Sequence, residues 1–131
     1  MISYDDFAKV EICAGKILSA EKIPDTDKLL KLSVDFGEYV PMPPSETQPV
    51  GMSVPQPRQI VSGIAMYFPD PAVLVGRTCM FVTNLEPRMI RGYESNGMLF
   101  AVSTPGGAFS LLEPVPVDAT KGAIPPGTRA K

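Results

Sequence analysis

The sequence contains no histidine and only two cysteines among its 131 residues. The lack of histidine removes the commonest general base and the commonest metal ligand together. Two cysteines are too few for a disulfide scaffold or for a zinc site made of cysteines alone. The sequence also lacks a phosphate-binding loop and a nucleophile beside an evident base, so we expect no enzyme, no metal and no cofactor.

The two cysteines, Cys13 and Cys79, lie in apolar, strand-like stretches. The simpler interpretation is a pair of buried, inert thiols. The alternative is a redox pair, since the two residues fall on neighbouring strands of the barrel predicted below. A reducing compartment disfavours that alternative.

Long apolar runs and bulk positive charge are also missing. No run approaches the roughly 18 apolar residues of a membrane-spanning helix, and the acidic N-terminus lacks a signal-peptide pattern. We therefore expect a cytoplasmic protein with no membrane partner. The net charge of −2 argues against attraction to nucleic acid by overall charge, so any such binding requires a local basic patch.

The segments that are present predict a small all-β domain over residues 1–131. A hydrophobic content of 44% fits a soluble globular domain, and we see no internal repeat and no long helix. The strongest alternation falls at 29–36, where every second residue is apolar. A short helical turn, capped by Ser3, is predicted at the N-terminus, and Gly15 and Gly63 predict bends. The predicted strands cover 10–20, 29–36, 58–68, 78–85 and 97–103, with a short helical connection at 69–76.

Three segments interrupt this pattern. Residues 40–57 hold six prolines and a glycine, which predicts a long, extended, mobile loop. Its PMPP stretch (41–44) matches a polyproline ligand, although an exposed insertion without a dedicated partner is the simpler interpretation. Residues 86–96 predict a loop carrying two arginines. Residues 104–131 predict a C-terminal extension that could add a hairpin.

This order of elements is that of the five-stranded OB barrel with a short helix between its third and fourth strands. Such barrels bind their ligands across strands 2 and 3 and the flanking loops.

Six blocks of the sequence resemble the tRNA-binding domain found at the C-terminus of bacterial methionyl-tRNA synthetases, in free-standing tRNA-binding proteins and in cytokine-like eukaryotic synthetase cofactors. The blocks follow one another in the order that the family shows. They are DDFAKVEICAGKI (5–17), DKLLKLSVDFGE (27–38), RQIVSGIA (58–65), LVGR (74–77), NLEPRMIRGYESNGML (84–99) and IPPGT (124–128).

The resemblance implies an OB fold that binds tRNA by shape, near the outside of its elbow, without catalysing a reaction. Free-standing members of the family are homodimers, so it also implies a dimeric module or a separate subunit beside a methionyl-tRNA synthetase. The alternative is a protein-docking or chaperone-like OB domain, as in the secretion-chaperone-like branch. The chain departs from the family where Cys13 replaces a usual arginine and where the 40–57 insertion replaces a short turn.

Cationic and hydrogen-bonding side chains suit the phosphates and 2′-hydroxyls of a structured RNA. The stretch from Arg58 to Met98 contains four arginines and three carboxylates. This small excess of positive charge predicts a modest, salt-sensitive affinity for RNA. The candidate RNA-binding residues are Lys28, Lys31, Arg58, Ser62, Asn84, Arg88, Arg91, Ser95, Asn96 and Met98.

Each candidate also has a purely structural interpretation. Exposed arginines are often only solvated surface. Ser62 and Gly63 could form a bulge that closes the barrel, Asn84 could bond backbone groups at a strand end, and Met98 could pack in the core.

Overall fold

The computed structural model describes residues 1–42 and 53–131. It contains one short α-helix, α1 (Tyr4–Phe7), and eleven strands. The strands are β1 (Ile12–Lys22), β2 (Leu30–Asp35), β3 (Tyr39–Pro41), β4 (Ser53–Pro55), β5 (Arg58–Ser62), β6 (Thr78–Val82), β7 (Arg88–Ile90), β8 (Tyr93–Ser95), β9 (Met98–Leu99), β10 (Ala101–Ser103) and β11 (Phe109–Leu111). Three 3-10 helices lie at Ala65–Tyr67, Pro71–Leu74 and Ala119–Lys121.

Five strands form an antiparallel sheet in the order β5-β2-β1-β6-β9. The sheet curls until the segment after β8 meets β5, where the Asn96 backbone N–H donates to the Gln59 carbonyl at 2.8 Å. This nearly closed barrel confirms the predicted OB architecture, including the pairing of the first predicted strand with the fourth.

The barrel interior is filled by the apolar residues that the alternation in β2 predicts. Leu30, Leu32 and Val34 are fully buried, and their neighbours on β2 are only half-buried. Phe36 and Phe81 pack edge-to-face with ring centroids 5.3 Å apart. All five strands of this sheet contribute buried residues to one hydrophobic core.

Several predicted boundaries are wrong in informative ways. The first strand passes through Gly15 without a break, and its register shifts instead between Ile17 and Ser19. Gly15 is needed for space, since a Cβ there would lie 2.5 Å from the Phe36 ring. The strand predicted over 58–68 ends at Ser62 and gives way to a 3-10 helix, and the strand predicted over 97–103 divides into β9 and β10.

The C-terminal extension is part of the barrel. β11 pairs with β10 as the predicted hairpin. The final residues then run beside the first half of β1, which β2 leaves unpaired. There Ala14 N–H donates to the Thr128 carbonyl at 2.8 Å, and Ala130 N–H donates to the Ile12 carbonyl at 2.7 Å. The last block of the resemblance, IPPGT, therefore has a structural role.

The N-terminal cap and the proline-rich segment have different outcomes. The Ser3 hydroxyl accepts from the Asp6 N–H at 3.1 Å, so the predicted cap is confirmed. Prolines 41 and 55 end up in the small β3–β4 ladder that flanks the insertion. The rest of the extended loop predicted for 40–57, at 43–52, lies outside the described residues, as does part of PMPP.

Both cysteines are free thiols. Burial raises the pKa of Cys79 to about 11, so this thiol stays protonated as the inert interpretation requires. Cys13 is half-buried, and its sulfur lies 3.5 Å from the Thr83 hydroxyl, which donates to it. The pairing that the redox alternative needs is therefore not formed in this structure.

Candidate nucleic-acid interface

The segment predicted as a long loop, 86–96, is a β-hairpin. β7 and β8 pair so that Arg88 faces Ser95 and Ile90 faces Tyr93. The connecting residues, Arg91 and Gly92, have φ angles of 52° and 84°. Two consecutive positive φ angles define the type I′ turn, whose twist matches that of the strands it joins. The sequence prediction missed this turn because arginine is not among its usual residues.

The hairpin is anchored to β5 by side chains from both elements. The Val61 N–H donates to the buried Ser95 hydroxyl at 3.0 Å, and the Gln59 amide donates to the Glu94 carbonyl at 3.0 Å. On the adjacent strand, the Lys31 ammonium lies 5.3 Å from the centre of the Tyr93 ring. The hairpin is therefore attached to the strands where OB barrels bind ligands.

A cleft of about 510 Å³ separates the tip of this hairpin from the loop between β1 and β2. The loop is held in place by its own backbone, since Ile23 N–H donates to the Leu29 carbonyl, and by Ala65 N–H, which donates to the Lys28 carbonyl at 3.0 Å. The cleft is lined by Asp25, Thr26, Asp27, Lys28, Leu29, Ile90 and Arg91.

Four charged side chains of the cleft are exposed and form no ion pair with another described residue. Lys28 and Arg91 supply positive charge, and Asp25 and Asp27 supply negative charge. Asp25 and Arg91 are also the two non-glycine residues with positive φ in the described ranges. Backbone conformations of this kind are uncommon outside glycine and concentrate at ligand sites.

A smaller hollow of about 100 Å³ lies at the other end of the hairpin and brings Arg88 and Met98 together. Arg88 is exposed, and Met98 keeps 45% of its surface accessible. Met98 is thus not enclosed in the core. Arg88 and Arg91 lie at opposite ends of β7 and line two separate hollows.

Arg58 has a different environment, since three of its nitrogens are engaged within the protein. Nε and Nη2 donate to the two carboxylate oxygens of Glu38 at 2.7 and 2.9 Å, and Nη1 donates to the Thr83 carbonyl at 2.6 Å. The hydrogen bond from Arg58 holds the pKa of Glu38 below its ordinary value, and the same bond raises the pKa of Arg58. The guanidinium also lies 5.3 Å from the centre of the Phe36 ring. Arg58 thus joins three separate segments.

Two further candidates form hydrogen bonds within the protein, and for Asn84 these are the backbone bonds given above as its alternative. The Asn84 amide accepts from the Glu11 N–H at 2.8 Å and donates to the Lys9 carbonyl at 2.6 Å. Ser95 is buried and also donates to the Gly97 carbonyl at 3.3 Å. These bonds hold the N-terminal segment and the hairpin on the barrel, whatever contact with RNA the residues make.

The remaining candidates are partly accessible. Lys31 pairs with Glu21 at 3.4 Å while it lies over Tyr93. Ser62 ends β5, where Leu30 faces it, and Asn96 supplies the backbone bond that closes the barrel. The structure therefore brings Lys28 and Arg91 into one cleft, places Arg88 and Met98 beside it, and holds Arg58, Asn84 and Ser95 in internal bonds.

The sequence prediction omitted six residues of this region, which are the cleft residues Asp25, Thr26, Asp27, Leu29 and Ile90 and the neighbouring Tyr93. The two aspartates stand in a turn-forming PDTDK stretch, which signals only a turn. Tyr93 could have been found only by recognising the hairpin, which places its ring beside Lys31.

Two properties of the described ranges bear on other classes of function. None of their helices is long and apolar enough to cross a membrane. They also hold no group of three or more histidine, cysteine or carboxylate residues placed to bind a metal ion.

Residues 49–125 match the model of the protein family described as "Putative tRNA binding domain". The whole chain is 46% identical to part of a methionine–tRNA ligase from Methanoregula boonei, of which it covers 16%. The chain thus spans about one sixth of the length of that curated relative.

Solved structures agree with this match. A methionyl-tRNA-synthetase-related protein from Pyrococcus horikoshii superposes with a TM-score of 0.76 at 35% identity, covering 100% of this chain and 98% of that one. The chaperone CsaA from Bacillus anthracis superposes with a TM-score of 0.71 at 22% identity over 100% of this chain and 99% of that one, which shows a shared fold.

Proposed function

Because this chain belongs to the family of tRNA-binding domains, we propose that it binds tRNA by shape and catalyses no reaction itself. The observation that supports this most directly is the cleft between the β1–β2 loop and the β7–β8 hairpin. It lies where OB barrels bind nucleic acids, and it presents Lys28 and Arg91 without a carboxylate partner among the described residues.

The protein would act in the cytoplasm as a homodimer or as a separate subunit beside a methionyl-tRNA synthetase. The family resemblance supports the dimer, and so does an apolar surface around α1. There Tyr4, Phe7 and Val10 are exposed and line a hollow of about 450 Å³ together with the last residues of the chain. A second copy of the chain would remove this apolar surface from water.

The cations near the cleft would bind the phosphates of the tRNA. Arg88, Arg91 and Lys28 provide guanidinium and ammonium donors on a hairpin and a loop that are both fixed by hydrogen bonds. Overall charge opposes binding, since the net charge is −2. Affinity would therefore come from these few local contacts, and it would weaken steeply as salt is added.

The test is a titration of bulk tRNA at low and at physiological salt, with double-stranded DNA as the reference ligand. The double variant Arg88→Ala/Arg91→Asn should weaken tRNA binding by at least about tenfold, because it removes two charge-assisted contacts. For this variant, the slope of log K against log salt should become less steep by roughly 1.5. Asparagine is chosen at Arg91 because it tolerates the positive φ of the turn.

Lys9→Ala/Lys121→Ala is the matched control, because it removes two positive charges from α1's end and from the C-terminal extension. This control should bind tRNA within about twofold of the natural protein. If both double variants lose tRNA affinity equally, the loss arises from net charge and not from the hairpin. Unchanged tRNA binding by the hairpin variant would favour the protein-docking alternative. Light scattering on the same samples measures whether the protein is a dimer.

A further inference from the structure

The negative charges of the cleft are unexpected at a surface that binds a polyanion. Asp25 and Asp27 line the same hollow as Lys28 and Arg91, and neither carboxylate is paired with a cation among the described residues. A carboxylate accepts hydrogen bonds and repels phosphate. A surface that only held the RNA backbone would be weakened by these two residues.

We propose that the cleft receives one unpaired nucleotide of the bound tRNA, with its phosphate on Lys28 and Arg91 and its base or ribose donors on Asp25 and Asp27. This inference rests on the proposed function and names the part of the tRNA that the cleft takes. A nucleotide carries both acceptors and donors: phosphate oxygens on one side, and 2′-hydroxyl, amino or imino groups on the other. One nucleotide therefore offers a phosphate to the two cations and hydrogen-bond donors to the two carboxylates.

The shape of the cleft fits a projecting group. A duplex keeps its bases stacked and offers no projecting base to enter a cleft. A volume of about 510 Å³ lies within the roughly 300–1,000 Å³ of small-ligand sites. An unpaired base can turn out of its stack into such a space, and recognition of RNA sequence and structure uses unpaired bases in this way.

The lining also offers a place for the base itself. Leu29 and Ile90 are half-buried apolar residues on opposite sides of the cleft, one from each element. The Arg91 guanidinium is planar and stacks on aromatic faces, including those of bases. Apolar sides, a stacking cation and hydrogen-bond acceptors are the groups that a nucleobase with its ribose requires.

The loop that carries the carboxylates is held in one conformation before any ligand arrives. The Thr26 hydroxyl and N–H both donate to the Ile23 carbonyl, at 3.2 and 3.3 Å. Asp25 has a φ of 64°, a value that aspartate tolerates better than most residues. A loop whose backbone is already held in place requires less ordering on binding, which favours specific hydrogen bonds.

Removing the charge of the two aspartates tests the inference, because tRNA binding should weaken if they accept hydrogen bonds and should tighten if they only repel phosphate. The variant Asp25→Asn/Asp27→Asn keeps the size of both side chains, and asparagine also tolerates positive φ. If the carboxylates accept hydrogen bonds from a nucleotide, the variant should bind tRNA about tenfold more weakly, because charged acceptors are lost. It should bind a continuous RNA duplex as well as the natural protein or better.

The matched control is Asp70→Asn/Asp118→Asn, which removes two negative charges from the caps of two 3-10 helices, where asparagine accepts the same backbone hydrogen bonds. It should tighten binding of tRNA and duplex alike, and by less than about threefold. If the cleft variant tightens tRNA binding as the control does, the carboxylates only repel phosphate and the inference is wrong. If the natural protein does not bind tRNA at all, the proposed function fails, so the two failures are distinguishable.

A second measurement does not depend on the affinity of a variant. Acylation of 2′-hydroxyls in the bound tRNA should show one or a few unpaired nucleotides protected by the natural protein. These positions should regain their reactivity with Asp25→Asn/Asp27→Asn, while protection by the Asp70→Asn/Asp118→Asn control should match that of the natural protein. Unchanged reactivity of every unpaired nucleotide in the bound tRNA would overturn the inference.

Discussion

The sequence predicts RNA contacts for both Arg58 and Arg91, and the structure gives these two side chains opposite surroundings. Arg58 donates to both oxygens of Glu38 and to the Thr83 carbonyl, and its side chain is 21% exposed. Arg91 stands at the tip of the hairpin, exposed and without an ion pair to any described residue. The same residue type thus holds the barrel together in one place and is available to a ligand in the other.

The two regions also differ in how closely they are packed. Around Arg58 the residual space is about 190 Å³, against about 510 Å³ in the cleft beside Arg91. The lining of the smaller space includes Glu11, Phe36 and Gly127, which come from three distant parts of the chain. We call Arg58, its hydrogen-bond partners Glu38 and Thr83, and these three lining residues the Arg58 network. A basic residue in a family motif therefore has to be assigned by its partners, since one arginine stabilises the fold where the other is free to bind a ligand.

The largest effect is expected at Gly127. This residue has a φ of 88°, and a Cβ there would overlap the Phe36 carbonyl oxygen. Gly127→Ala should lower the free energy of unfolding by about 2–4 kcal/mol, because it adds both backbone strain and a clash with backbone that cannot move aside. Denaturant unfolding measures this loss.

Gly92 provides the control for this prediction. Its φ of 84° is nearly the same, but no described residue other than its chain neighbours comes within 4 Å of where its Cβ would be. Gly92→Ala should therefore cost only the backbone strain, about 1 kcal/mol. Equal losses at the two positions would contradict the contrast between a packed region and an open one.

The next effect concerns Arg58 itself. Arg58→Leu should lower the free energy of unfolding by about 1–3 kcal/mol, because it leaves Glu38 and the Thr83 carbonyl without their donors. The tRNA affinity of the folded protein should change by less than about twofold, since these donors already have partners. Thermal unfolding and the tRNA titration measure the two quantities on one sample.

Arg91→Asn should give the reverse result, with weaker binding and unchanged stability, because asparagine suits the type I′ turn. A large loss of affinity in Arg58→Leu, without loss of stability, would show that Arg58 contacts RNA despite its internal bonds. That result would remove the distinction between the two arginines.

The smallest effect is a pH dependence that arises from Glu38. The hydrogen bond from Arg58 lowers the pKa of Glu38 in the folded protein below its ordinary value of 4.5. The unfolded state therefore takes up the proton first as the pH falls. The stability that the pair contributes is fully present above about 4.5 and is lost as the pH falls through the lower, folded pKa.

The measurement compares the natural protein with Glu38→Gln across this range. The difference in the free energy of unfolding should be below about 1 kcal/mol at neutral pH, because the Glu38 side chain is 44% exposed and solvent screens the pair. It should shrink as the pH falls below 4.5. A difference that stays constant down to acid pH would mean that the carboxylate charge plays no part in the Arg58 network.

Much of the barrel follows from local patterns in the sequence. Alternation identifies the buried face of β2 because side chains in a strand point alternately to its two sides. The proline at the start of the Pro71–Leu74 helix and the Ser3 cap were recognisable because they act on their immediate neighbours. The hairpin was missed because its turn uses Arg91, which the usual turn signals do not include.

The fold class, the family and the polar residues from which a site could be built can all be read from the sequence. Which of those residues are available to a ligand depends on their neighbours in the folded protein. Arg58 bonds a residue 20 positions away, and Asn84 bonds the backbone 75 positions away. A side chain's donors are engaged by whatever the fold brings within hydrogen-bond distance, and no local pattern records contacts between residues so far apart in the chain.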